Sequence, residues 1–298
     1  ITIDAPDFNL GLARRLHDRG LTTIHYVSPS VWAWRAGRIP RIATSLDQLL
    51  TLFPFEPALY QPYGLDARFV GHPLADELSA GPDQSGARET LGIRSASPVI
   101  ALLPGSRDGE LKRHIQLLAD TATLLRTRYP GAQLMLLVTG HRHTDLAMEL
   151  AGPDLLEAGV TVLEGRTRDG LASADVAIAA SGTVTLEAFL LECPMVVYYR
   201  LAPSTFHLAR GLRLVRSAFV SLPNILSGQA LVPERLQGNA TPTTLASDVE
   251  GWLADRKRAE YYRQQAREWR SRLSQQAGQQ AARAILEHLG ARSNAPTH

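Results

Sequence analysis

The 298-residue sequence predicts an α/β protein built from two doubly wound parallel sheets, and three observations carry that prediction. Short apolar runs alternate with helical patterns from end to end, as expected for parallel strands joined by crossover helices. The rhythm restarts near residue 99, after a polar stretch, which suits a prior of roughly one domain per 150 residues. Two runs, Val99-Ile-Ala-Leu-Leu-Pro-Gly-Ser-Arg107 and Ala179-Ala-Ser-Gly-Thr-Val-Thr-Leu-Glu187, break at small residues just before a helical pattern.

In the first part, residues 1–3 read as a strand, 10–19 as a helix, 21–27 as a strand, and 46–53 and 67–70 as further short strands. Residues 80–97 are polar, hold Gly81-Pro82 and Ser95-Ala-Ser-Pro98, and read as the crossing between domains, with a short helix around 88–92. The second part fits strands at 99–103, 133–138, 160–163, 176–179 and 195–199, and helices at 111–129, 144–151, 168–173 and 185–192. A closing segment, 245–289, has helical periodicity and many charges, most of them a solvated face. The expected domains are therefore 1–93 and 94–298, with the closing helices in the second.

Composition excludes several classes of function. A formal charge of +2 is too small to imply nucleic acid, and no stripe of arginine and aromatic residues suggests it. No apolar run approaches the ~20 residues of a membrane span, and no signal-peptide pattern opens the chain, so a soluble or peripheral protein is expected. The single cysteine, Cys193, rules out an internal disulfide framework, fits a reducing compartment, and reads as a small buried side chain. His25, His72 and His114 have no metal-ligand spacing, and neither a His-Glu-x-x-His nor a Cys-x-x-Cys pattern occurs. The chain begins with Ile1-Thr-Ile-Asp4, inside a strand-like pattern and without an initiator methionine, which reads as a sequence whose beginning is missing.

The two small-residue loops point to an anion. A strand ending in Gly105-Ser106 or Ser181-Gly182-Thr183 brings bare backbone N–H groups and the positive end of a helix dipole toward one point. Arg107 adds a cation whose fork suits phosphate oxygens; the competing reading is a surface ion pair with Asp108 or Glu110. Small residues at strand-to-helix turns also have a purely steric explanation. Glu187, early on the second helix, is placed either to accept hydrogen bonds from ribose hydroxyls or simply as a carboxylate favoured by the dipole.

The motifs Ile3-Asp-Ala-Pro-Asp-Phe-Asn9, His25-Tyr-Val-Ser-Pro-Ser-Val-Trp-Ala-Trp-Arg35, Leu52-Phe-Pro-Phe-Glu56, Phe69-Val-Gly-His-Pro73, Leu103-Pro-Gly-Ser-Arg107, Ser181-Gly-Thr183 and Val220-Ser-Leu-Pro-Asn224 together strongly resemble the lipid-A-disaccharide synthase family. The resemblance covers nearly the whole chain. It implies a glycosyltransferase of the GT-B type, with two Rossmann-like domains of which the first is incomplete, because the family's Gly-Glu-x-Ser-Gly-Asp loop and neighbouring elements do not occur. The implied reaction moves 2,3-diacylglucosamine from its UDP derivative onto 2,3-diacylglucosamine 1-phosphate, giving lipid A disaccharide 1-phosphate and UDP, with no metal or cofactor. The implied place is the cytoplasmic face of the Gram-negative inner membrane; a homodimer is an assembly the reading admits.

The resemblance makes Asp4 the general base, against the reading of Asp4 or Asp7 as a helix cap. It also places Asn224 at the donor sugar or diphosphate, where a turn-forming asparagine is the alternative. Trp32, Trp34 and Arg35 read either as an acceptor-side wall or as tryptophans packed under a loop. Residues 194–233 carry Arg200, Arg210, Arg213 and Arg216 and no acid before Glu234, interleaved with apolar residues. From the residues alone such a stretch suits a helix buried on one side and solvated on the other somewhat better than an anionic leaflet, and diacylated substrates shift the balance toward the leaflet. A UDP-sugar epimerase of the same fold and a non-catalytic nucleotide-binding remnant are the rival functions.

Overall fold

The computed structural model describes residues 1–32, 36–94, 97–200 and 219–293. Residues 1–79 and the stretch from Arg270 onward form one compact unit, and residues 80–200 and 219–269 form another.

In the first unit, β1 (Thr2–Ile3), β2 (Ile24–Tyr26), β3 (Gln48–Thr51) and β4 (Asp66–Phe69) make a parallel sheet in the order β1-β2-β3-β4. Successive residues of a strand face opposite sides, and both sides are covered here, which is why β3 is apolar at consecutive positions. Leu49 packs in a cluster with Leu10, Ala13, Ile39 and Tyr60, whereas Leu50 packs with Ile24, Val70 and Ala284. Leu10 and Ala13 come from α1 (Pro6–His17), which starts four residues before its first buried position because Pro6 is preorganised for a first turn that needs no apolar periodicity.

Ala284 belongs to the helix Ala277–Ser293, so the last helix packs on the first sheet and not with the second domain as expected. Its stripe of Ala281, Ala284 and Ile285 specifies which face is buried but not against which sheet. The boundary shifts as well, since residues 80–93 group with the second unit. There, Arg88 on the helix Gln84–Thr90 bonds Asp175 at 2.8 Å and the Ser173 carbonyl at 2.9 Å.

The join to the last helix is built around Gly71 and Asp76. Gly71 has φ +92°, and a Cβ there would lie 2.7 Å from Gln275 Cβ, a close approach that glycine permits. The Asp76 carboxylate accepts from the Ser274 hydroxyl (3.0 Å) and from the N–H groups of Gln276 (2.9 Å) and Ala277 (2.6 Å).

In the second unit, β5 (Val99–Leu103), β6 (Gln133–Val138), β7 (Val160–Glu164), β8 (Val176–Ala180), β9 (Met195–Tyr199) and β10 (Glu234–Leu236) form a parallel sheet in the order β10-β9-β8-β5-β6-β7. All five residues of β5 and of β8 are buried. β10, three residues long with two of them charged, carries no strand pattern of its own and is defined by pairing with β9. The helices α2 (Ile39–Ala43), α3 (Pro57–Tyr60), α4 (Pro73–Glu77) and α5 (Gln84–Thr90) precede β5, and four crossover helices follow the strands from there: α6 (Asp108–Arg128), α7 (His141–Glu157), α8 (Thr167–Ser173) and α9 (Val184–Leu190). The expected end of α7 at residue 151 is a kink, with Ala151 at φ −145° and Pro153 inside the helix. Cys193, just before β9, is buried, and burial pushes its thiol up to about 12. Among the described residues no helix is long and apolar enough to cross a membrane.

Asp76→Ala strands two helix-start N–H groups and is expected to lower the unfolding free energy by about 1–3 kcal/mol. Urea unfolding measures this, and an unchanged midpoint would show that the carboxylate clamp contributes nothing.

Candidate functional site

β5 pairs with β6 on one side and with β8 on the other, so the chain reverses its travel across the second sheet between β5 and β8. In an open parallel sheet the loops leaving such a switch point frame the ligand crevice. They are the two loops singled out in the sequence, Gly105-Ser106-Arg107 after β5 and Ser181-Gly182-Thr183 after β8.

The loops differ in one respect that the sequence does not disclose. Glu110, on the first turn of α6 and only 7 % exposed, accepts from the N–H groups of Ser106 (3.2 Å) and Arg107 (3.4 Å), from Arg107 Nη1 (3.1 Å) and from the Tyr199 hydroxyl (3.2 Å). The N–H groups expected to be bare are therefore held by an internal carboxylate. Gly105, at φ +107°, makes room for it: a Cβ there would lie 2.6 Å from Glu110 Oε2. Arg107 pairs with Glu110, yet its side chain is 81 % exposed. By contrast, α9 has no side-chain cap at Thr183, and Gly182 and Thr183 are exposed, so the backbone at the first turn of α9 is the more open of the two. The hydroxyl of Ser181 is spent on the Val220 carbonyl at 3.1 Å.

Glu187 lies 3.6 Å from Arg168 of α8, which fixes its carboxylate beside the loop that opens α9. His114 locks the other loop from below. Its Nδ1 lies 2.7 Å from the Pro104 carbonyl and its Nε2 accepts the Arg200 N–H at 3.3 Å, an arrangement that suits the neutral ring with the proton on Nδ1. Burial lowers its pKa, in keeping with that form.

Asn224 is placed differently from its expected role. It lies on the helix Leu222–Ser227, is 1 % exposed, and donates from Nδ2 to the Val232 carbonyl and to Glu234, both at 2.9 Å, while Oδ1 accepts the Val232 N–H at 2.8 Å. Both amide hydrogens are thus used internally. Glu234 also accepts from the N–H groups of Val220 (3.0 Å) and Ser221 (2.9 Å), so it ties the Val220–Asn224 motif to β10. An N3 glutamate after Gly-Ser-Arg is a legible capping signal for Glu110. Nothing in the sequence links Glu234 to a motif ten residues earlier.

In the first unit, Asp4 ends β1. Its N–H donates to the Tyr26 carbonyl at 2.9 Å, and its carboxylate is exposed with no hydrogen bond among the described residues. Asp4 (φ +48°) and Ala5 (φ +43°) are consecutive non-glycine residues in the left-handed region, and β-branched Val27, after β2, stands at φ +80°. Each such residue costs of order 1 kcal/mol or more, and strain of this kind gathers at functional sites. Neither expected cap is made: the N-cap of α1 is Ala5 with no side-chain bond, and Asp7 lies inside the first turn, paired with Arg38 at 3.0 Å. His25 is buried on β2, bonded through Nδ1 to the Thr2 hydroxyl at 2.8 Å, with its Nε2 unpartnered among the described residues. Burial lowers its pKa and the nearby Asp4 charge opposes that.

Trp32 packs edge-on against Phe53 and Phe55 and donates from Nε1 to Glu56 at 3.2 Å. Trp34, Arg35, Arg210, Arg213 and Arg216 lie outside the described residues. Glu56 is 2 % exposed and also accepts the N–H groups of Leu52 (3.1 Å) and Phe53 (2.9 Å). Burial pushes it from an ordinary 4.5 to about 7 against the pull of those donors. A carboxyl raised on folding stabilises below its unfolded pKa and loses that contribution as pH rises through the folded one. The stability gap between wild type and Glu56→Gln is therefore expected to narrow from about pH 4.5 to about pH 7; urea titrations at both ends check this, and a widening gap would contradict it.

Among the described residues no group of three His, Cys, Asp or Glu side chains is arranged to hold a metal ion. The family model LpxB, lipid-A-disaccharide synthetase, matches residues 1–288. The lipid-A-disaccharide synthase of Alkalilimnicola ehrlichii is 45 % identical over 292 residues, covering 97 % of this chain and 76 % of that protein. Among solved structures, a candidate UDP-N-acetylglucosamine 2-epimerase from Listeria monocytogenes superposes with a TM-score of 0.61 at 13 % identity, over 94 % of this chain and 70 % of that one. Anabaena HepE, solved in complex with UDP and glucose, gives 0.56 at 12 % identity, over 96 % and 77 %. At such identities the solved structures speak to the fold alone, which is that of the GT-B glycosyltransferases. The sequence matches are decisive for kinship: the chain belongs to the lipid-A-disaccharide synthase family, glycosyltransferases of lipid A biosynthesis.

Proposed function

We propose that the chain carries out the transfer of 2,3-diacylglucosamine from its UDP derivative to the 6-hydroxyl of 2,3-diacylglucosamine 1-phosphate, releasing UDP. The observation that carries the reading is the unbroken family match through residues 1–288, which takes in Asp4, both switch-point loops and the Val220–Asn224 motif. The acceptor oxygen attacks the anomeric carbon, the bond from that carbon to the diphosphate breaks with its electron pair leaving on UDP, and Asp4 takes the hydroxyl proton. Arg107 and the open first turn of α9 at Gly182 and Thr183 meet the charge on the leaving diphosphate. Gly105 and Ser106 give the loop its close approach, and Glu187 receives the ribose hydroxyls. Asn224 serves this site through the fold, by holding the Val220–Glu234 segment. An epimerase would share the nucleotide loops, but a relative at 45 % identity over 97 % of the chain bears the synthase name.

In this reading the diacylated substrates are met at the cytoplasmic surface of the inner membrane, Trp32, Trp34 and Arg35 serve the acceptor, and Arg210, Arg213 and Arg216 serve anionic lipid.

Calorimetric titration with UDP tests the donor side: Arg107→Ala is expected to weaken binding about tenfold or more, and unchanged affinity would leave Arg107 as a surface ion pair. On the acceptor side, Asp4→Asn is expected to keep UDP affinity while turnover falls ~100-fold or more. Normal turnover would remove Asp4 from the mechanism.

A further inference from the structure

We infer that Asn9 is the positioning residue for Asp4, its side-chain amide fixing the left-handed turn that presents the carboxylate. The inference rests on the reading of Asp4 as general base.

Asn9 is the fourth residue of α1. Its Nδ2 donates to the carbonyls of Ile3 (2.9 Å) and Asp4 (2.8 Å), and its backbone N–H donates to the carbonyl of Ala5 at 2.9 Å. One residue thus gathers three consecutive carbonyls, and both hydrogens of its amide are committed. Those carbonyls converge because Asp4 and Ala5 are left-handed, a conformation that asparagine or glycine would adopt at less cost than aspartate and alanine.

Among the described residues, packing does not hold the turn. Ile3 is 62 % exposed, and Asp4 and Ala5 are exposed as well. The ladder bond from Asp4 N–H to Tyr26 anchors only the entry to the turn, and the start of the helix has no side-chain cap. At the exit, the backbone N–H groups of Phe8 (3.0 Å) and Asn9 (2.9 Å) hold the Ala5 carbonyl, and the Asn9 amide is the side-chain restraint on the carbonyls of Ile3 and Asp4. Its bonds are at the surface, so the carbonyls it releases find water, and the helix stays docked through buried Leu10 and Ala13. Asp4 can therefore lose its position without loss of the fold, which separates a positioning role from a structural one.

The test compares Asn9→Ala, and Asn9→Asp, which keeps the volume and removes both donors, with Asp4→Asn and with Asn9→Ala combined with Asp4→Asn. The expected result has three parts. Crystal structures of the Asn9 variants show Asp4 and Ala5 out of the left-handed region. Turnover falls about 10- to 100-fold at unchanged KM for the UDP-sugar, the loss expected from a misplaced base. The double variant is no slower than Asp4→Asn alone, since an absent base has nothing left to position. Retention of the left-handed turn in both Asn9 variants, or a double variant that shows the product of the two losses, would overturn the inference. Normal turnover in Asp4→Asn, with the turn relaxed in the Asn9 variants, would instead bring down the general-base reading and leave the geometric role of Asn9 standing.

Discussion

The loops of this protein depend on carboxylates that each take two consecutive backbone N–H groups. Glu56 holds Leu52 and Phe53, Asp76 holds Gln276 and Ala277, Glu110 holds Ser106 and Arg107, and Glu234 holds Val220 and Ser221. A chain leaving a strand or entering a helix has donors without partners, and burying them unmet costs more than most single contacts return. A charged acceptor is worth about 1.5–3 kcal/mol per bond in such places, so four side chains account for the shape of four loops. Three of them, Glu56, Glu110 and Glu234, lie within or directly tied to the long motifs that identify the family.

Five of the six strands of the second unit were readable almost residue by residue, because runs such as β5 and β9 are wholly apolar and bounded by turn residues, whereas β10 has no such run. The helix starts were less so. Asp108 to Glu110 opens α6 with a polar turn that has no periodicity, and Pro6 to Asn9 opens α1 in the same way. The partner of the last helix was not legible at all, since a stripe of alanine and isoleucine fits any apolar sheet face. The sequence singled out both small-residue loops and the resemblance singled out Asp4, but neither could say which donors were already taken. The N–H groups of Ser106 and Arg107 are satisfied by Glu110 within one helix turn, where a capping pattern signals it, whereas Asn224 is satisfied by Val232 and Glu234, a pairing that arises only when the chain folds back.

The turns that follow the strands handle backbone strain in two ways. After β1 and β2 it sits on Asp4, Ala5 and Val27, where no glycine relieves it. After β5 the bend falls on Gly105, so the loop is relaxed but crowded against Glu110. A strained loop can be released by losing one tie, whereas a crowded one is disturbed by gaining one methyl group.

Cys193 adds a practical property of a different kind. The chain's single thiol is buried before β9 and held protonated, so thiol-specific reagents find no target on the folded surface. A cysteine placed anywhere on the exterior would carry a spectroscopic label without background. The native thiol would meanwhile become a clock, modified only in the moments when the second sheet opens.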